Sequence, residues 1–149
     1  MNAFCTRYVG SEHSEVLAEI HARSFIKAWS ANDIAKILDQ SGATAWMVED
    51  DEPAAFILVR HASDESEILT LAVNPHARRK GYASALIRSA CDRLHKSGIN
   101  KIYLEVADDN TAARALYSKH GFTVTGRRRA YYNEPEKSPV DAIVMAKEI

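Results

Sequence analysis

Cysteine is scarce in this chain of 149 residues: only Cys5 and Cys91 occur, far apart and without metal-ligand spacing. That excludes a disulfide framework, and the pair reads as reduced thiols of an intracellular protein. Long apolar runs are missing too. No stretch approaches the roughly 20 residues needed to cross a bilayer, and no basic segment followed by an apolar one opens the chain. Neither a membrane span nor a secretory leader is expected, which makes the protein soluble and cytoplasmic. Charge of one sign is also absent, since 19 Lys and Arg against 20 Asp and Glu leave a formal net charge of −1. This argues against a general nucleic-acid binder, so DNA is not an expected partner. The histidines at 13, 21, 61, 76, 95 and 120 lack zincin or zinc-finger spacing, and no metal is expected. No serine stands in a Gly-x-Ser-x-Gly elbow, so an acyl-enzyme has no visible nucleophile.

The residues present are 46% hydrophobic, enough for one α/β domain spanning 1–149 with a sizeable core and no room for a second domain. Patterning predicts strands at 6–9, 43–48, 54–60, 68–73, 101–106, 122–128 and 140–146. Helices are expected at 16–24, 32–41, from about residue 82 to 97, and 111–120. Residues 131–139 carry two prolines and no periodicity, and read as a loop of the kind that touches substrate.

The most informative segment is Arg78-Arg79-Lys80-Gly81-Tyr82-Ala83, which joins the apolar strand Leu71-Ala72-Val73 to an amphipathic helix. A helix start carries N–H groups without intrahelical partners and a partial positive charge, so it binds anions. Gly81 and small Ala83 let phosphate oxygens approach the main chain, and Arg78, Arg79 and Lys80 add charge. A solvated helix start explains the same residues without a ligand. Neither Gly-x-x-x-x-Gly-Lys-Ser/Thr nor Gly-x-Gly-x-x-Gly is present, so nucleotide hydrolysis and Rossmann binding lose their usual loops.

Further on, Ile102, Leu104 and Val106 share one face of a strand, which leaves Tyr103 and Glu105 on the other. Glu105 is then a carboxylate within a sheet, either at a site or on a solvated face. Asn110 is a natural N-cap for the next helix, and Tyr117 lies nearly two turns in, where packing and chemistry are both open to it.

Taken together these blocks resemble the GCN5-related N-acetyltransferases (GNATs). The acetyl-coenzyme A loop of that family reads Gln/Arg-x-x-Gly-x-Gly/Ala, here Arg78-x-x-Gly81-x-Ala83. It is followed at the right separations by Ile102 to Val106, by Asn110-x-x-Ala113-x-x-x-Tyr117, and by Gly121-Phe122. Within the superfamily the chain looks most like the RimI-type ribosomal-protein-alanine N-acetyltransferases over most of its length. That narrower likeness rests on Ala28-Trp29-Ser30 after Phe25, Glu67 with Leu71 to Pro75, Arg128-Arg129-Ala130-Tyr131-Tyr132, and Asp141 to Met145. The family usually has proline where Ala28 stands, and commonly asparagine where Ala130 stands.

The resemblance implies a GNAT fold: a mixed, mostly antiparallel sheet of six to seven strands, flanked by about four helices and splayed between the fourth and fifth strands. It implies acetyl-CoA as co-substrate, held by Leu71, Ala72, Val73, Arg78, Arg79, Lys80, Gly81, Tyr82, Ala83, Ser84, Asn110 and Tyr117. Glu105 would be the base and Tyr117 the acid in direct transfer within a ternary complex, with Trp29, Glu67, Tyr131 and Tyr132 near the acceptor. The acceptor implied is a peptide N-terminus, with alanine of a ribosomal protein the leading expectation. An α-amine with a pKa of about 8 costs about 1 kcal/mol to deprotonate at neutral pH, against about 4 for a lysine. A small amine, drawn by the acidic Asp50-Asp51-Glu52 turn and by Glu134 and Glu136, and a lysine are the alternatives. A non-catalytic acetyl-CoA-binding module is a third.

Overall fold

The computed structural model describes residues 4–149. Seven strands form one sheet, β1 (Cys5–Val9), β2 (Ala43–Asp50), β3 (Glu52–Ala62), β4 (Glu65–Val73), β5 (Lys101–Ala107), β6 (Thr123–Tyr132) and β7 (Val140–Glu148), in the order β1-β2-β3-β4-β5-β7-β6. Four helices complete it: α1 (Ser14–Ser24), α2 (Ala31–Leu38), α3 (Tyr82–Lys96) and α4 (Thr111–Lys119). All neighbouring strands are antiparallel except β4 and β5, so the expected mixed sheet is observed.

The central strands are buried on both faces. Ala45, Met47, Phe56 and Leu58 pack with Leu17, Ile20 and Ile34 of α1 and α2. Trp46, Val48, Ile57 and Val59 pack on the other side with Leu86, Ile87, Ala90 and Leu94 of α3, joined by Leu104, Val106 and Tyr117. Two-sided burial is why residues 54–59 read as an unbroken apolar run, not an alternating one.

Two departures in β4 shape the middle of the sheet. Val59 pairs with Ile68 and Leu58 with Thr70, which leaves Leu69 as a bulge. Ile68 therefore faces α3 whereas Ala72 faces α1 and α2. β4 also pairs with β5 only at Glu65, Ser66 and Glu67, after which the two strands part. The backbone of residues 68–73 has no ladder partner on that side, which is the expected splay.

Three boundaries differ from the patterning by three residues or more. Helix α2 stops at Leu38, not at 41, because the chain turns through Gly42 into β2. A Cβ on Gly42 would lie 2.4 Å from the His61 carbonyl oxygen, and its φ of +87° adds strain for any other residue. Strand β4 begins at Glu65, three residues early, where it meets β5. Strand β6 runs on to Tyr132, so Tyr131 and Tyr132 belong to a strand and the connecting loop is 133–139. The pairing resumes at Tyr132 with Val140 across an irregularity that contains Ala130 at φ +53°.

Candidate active site

The turn from β4 into α3 is the site's most curled backbone. Arg79 (φ +66°) and Gly81 (φ +84°) both adopt the left-handed conformation. Curled backbone of this kind gathers N–H groups into an anion-binding concavity. Gly81 occupies the N-cap, and no side chain caps the helix. The first intrahelical bond runs from Ala85 N–H to Gly81 O at 3.1 Å, so the N–H groups of Tyr82, Ala83 and Ser84 stay open to a ligand. By contrast, α2 is closed by a Ser30–Asp33 capping box and α4 by Asn110 Oδ1, which accepts from Ala113 N–H at 3.2 Å. A Cβ at Gly81 would meet nothing within 4 Å, so φ and not crowding demands glycine there.

A cavity of about 1030 Å³ opens at this helix end. Its lining brings together Leu71, Ala72, Val73, Arg78, Arg79, Gly81, Tyr82, Ala83, Ser84, Asn110 and Tyr117. Lys80 is exposed and outside the lining. Tyr82 offers main chain only: its ring is buried edge-on against Phe4 and its hydroxyl donates to the Asp50 carboxylate. That hydrogen bond, with burial, pushes the phenol up to about 12. Asn110 spends Oδ1 on its helix and keeps its amide N–H groups for a ligand. Ser24, Phe25 and Lys119 also line the cavity. None of these three carries a local motif. Ser24 arrives because its hydroxyl donates to the Val73 carbonyl at 3.1 Å, across the sheet.

Tyr117 is 7% exposed, its ring edge-on to Phe122 with centroids 5.6 Å apart. Burial raises its phenol above the ordinary tyrosine value, so the hydroxyl keeps its proton at neutral pH and stands as a hydrogen-bond donor.

Glu105 belongs to a different cavity, of about 390 Å³, lined with Arg60, His61, Glu65, Glu67, Tyr103 and Arg128. It faces away from Leu104 and Val106, which share the core of Tyr117. The base and acid implied by the resemblance thus stand on opposite faces of the sheet, each beside β4 where it parts from β5. The Glu105 side chain is 24% exposed, and Arg128 Nη2 lies 3.0 Å from its Oε1. Tyr131 lies under the Arg128 guanidinium, 5.3 Å from ring centre to Cζ. Burial and the Glu105 charge raise the Tyr132 phenol. Trp29 is not brought to either cavity. Its ring stacks on buried His21 at 4.9 Å, and its main-chain N–H donates to His21 Nδ1 at 3.1 Å.

The strand that carries Arg128 is held by charge. Arg127 Nη1 lies 2.9 Å from Asp108 and 2.8 Å from Asp141, and Asp108 also binds Arg114 at 2.6 Å. Asp141 accepts the Ala130 N–H at 2.7 Å, and this bond with Arg127 lowers its carboxyl pKa. Ala130 needs that hold, since a left-handed alanine costs about 1 kcal/mol and asparagine less. The acidic turn expected to draw small amines is partly engaged: Asp50 binds Tyr82, and Glu52 binds His76 at 3.0 Å. Glu134 likewise pairs with Lys137 at 3.3 Å.

Residues 14–122 match the acetyltransferase (GNAT) family. The chain is 31% identical over 130 residues to the [ribosomal protein bS18]-alanine N-acetyltransferase of Haemophilus ducreyi, covering 87% of this chain and 90% of that one. It is 32% identical over 127 residues to the Escherichia coli enzyme of the same name, covering 85% of each. The crystal structure of the E. coli enzyme superposes with a TM-score of 0.91 at 28% identity, over 99% of this chain and 94% of that one.

Proposed function

From the premise that this chain belongs to the GNAT acetyltransferase family, and is an N-acetyltransferase, we propose that it acetylates the N-terminal α-amine of a ribosomal protein, alanine being the terminal residue. The co-substrate is acetyl-CoA, and transfer is direct, within a ternary complex in the cytoplasm. The observation that carries this reading is the parting of β4 from β5 after three residue pairs, beside an uncapped helix start. The parting frees main-chain donors and acceptors of Leu71 to Val73 for an extended pantetheine arm, as an added β-ladder. The helix start offers N–H groups and the charges of Arg78 and Arg79 to a diphosphate.

In the chemical step Glu105 takes a proton from the incoming ammonium, directly or through water and with Glu67 in the same cavity. The freed amine attacks the thioester carbonyl through the gap between the strands; as the carbon–sulfur bond breaks, the nitrogen loses its second proton to solvent, and Tyr117 protonates the thiolate and regains its own proton from solvent. An α-amine suits a single carboxylate base because its deprotonation costs about 1 kcal/mol at neutral pH. Identity of 31–32% to enzymes that act on the alanine of a ribosomal protein supports the acceptor. Two of the three carboxylates in the acidic turn are already paired, Asp50 with Tyr82 and Glu52 with His76, which leaves Asp51 alone to attract a small amine.

The test is incubation with acetyl-CoA and peptides that differ in the N-terminal residue, with blocked termini and lysine peptides alongside, and mass spectrometry to locate the acetyl group. Acetylation confined to free N-terminal alanine is expected. Acetylation of lysine or of small amines alone overturns the acceptor and leaves the transferase.

A further inference from the structure

His120 ends α4, and its Nε2 lies 2.8 Å from the hydroxyl of Ser84, the third residue of α3, which lines the large cavity. The pair ties the end of one cavity-forming helix to the start of the other. A serine hydroxyl has one proton. If it donates to Nε2 it has nothing for a phosphate oxygen. If Nε2 carries the hydrogen and donates to Oγ, the hydroxyl proton is free to point into the cavity. A bound phosphate therefore selects the forms of His120 with a proton on Nε2.

Three cations face that ring from the elements around it: Arg88 on α3, Lys119 on α4 and Lys147 on β7. Together with burial they lower its proton affinity in the free protein. A diphosphate at the helix start brings negative charge that offsets those cations and favours the imidazolium.

We propose that His120 is a positioning residue for the phosphates of the coenzyme, orienting the Ser84 hydroxyl toward them and taking up a proton from solvent as they bind. This rests on the reading of the large cavity as the acetyl-CoA site. His120 stands outside the lining and acts through Ser84.

Calorimetric titration of the full chain with coenzyme A in buffers of differing ionisation enthalpy reads the proton directly. At pH 6 the wild type is expected to take up more protons per coenzyme than His120→Gln, and at pH 8 the two are expected to match. His120→Gln keeps an amide donor for Ser84 but cannot titrate. It is expected to bind within about twofold of wild type at pH 8, and several-fold more weakly at pH 6 with the His120 share of the uptake gone. His120→Ala is expected to lose affinity at both pH values. NMR titration of the His120 ring in the wild type, with and without coenzyme A, needs no variant and should show its pKa rise on binding. Equal proton linkage in wild type and His120→Gln at pH 6, or a ring pKa that stays put, overturns the proposal alone. Failure of coenzyme A to bind at any pH overturns the acetyl-CoA reading with it.

Discussion

Glu105 and Tyr117 illustrate how little a residue's identity says before its surroundings are known. Glu105 meets Arg128 in an open charged cavity, whereas Tyr117 is buried against Phe122. If they divide the proton transfers as proposed, Glu105→Gln should lower kcat about 100-fold or more. Tyr117→Phe should lower it less, and both should keep the affinity for acetyl-CoA, read by steady-state kinetics beside calorimetry. A second prediction at this scale concerns His21, buried and stacked on Phe25 and Trp29, its Nδ1 accepting from Trp29. Burial lowers its pKa below the ordinary 6.5. The folded state then resists a proton that the unfolded chain accepts. The stabilisation is full above pH 6.5 and is lost as pH falls through the depressed value. Melting temperatures should hold from pH 8 to 7 and fall below 6.5, with a smaller fall in His21→Gln. The remainder belongs in part to His120, whose pKa is lowered as well.

Among the elements, helix starts separate structure from function. Ser30 and Asn110 close α2 and α4 with their own side chains, while α3 is left open at Gly81 in the lining of a large cavity. The strand–turn–helix punctuation around Arg78 to Ala83 was legible because apolar periodicity changes there and a glycine marks the break. The end of α2 was not legible, since residues 39–41 suit a helix locally and only the approach of His61 to Gly42 forces the turn. Gly42→Ala should therefore destabilise the protein by about 2 kcal/mol or more, through both strain and overlap, as chemical denaturation would measure. Ala130 gives the opposite prediction. Its left-handed backbone and the bond from its N–H to Asp141 suit asparagine, so Ala130→Asn should stabilise by about 0.5 kcal/mol in the same assay.

On the scale of the whole molecule, the large cavity proposed to hold the coenzyme is assembled from β4, α3, α4 and the end of α1. A ligand there bridges all four of them. Coenzyme A at 100 times its dissociation constant should add about 2.7 kcal/mol to stability. For a chain of this size that raises the melting temperature by about 8 °C, measurable by scanning calorimetry. The sequence by itself determined the succession of strands and helices, the open helix start and the face on which Glu105 stands, because these follow from local periodicity, glycine and capping chemistry. Only the tertiary structure decided that β4 carries a bulge at Leu69 and leaves β5 after Glu67. It alone set Glu105 and Tyr117 on opposite faces, brought Arg128, Ser24 and Lys119 to the cavities, and kept Trp29 away from them. Those outcomes depend on which backbone groups find partners across the sheet and which side chains fill its two cores, contacts between residues far apart in the chain that no local pattern records.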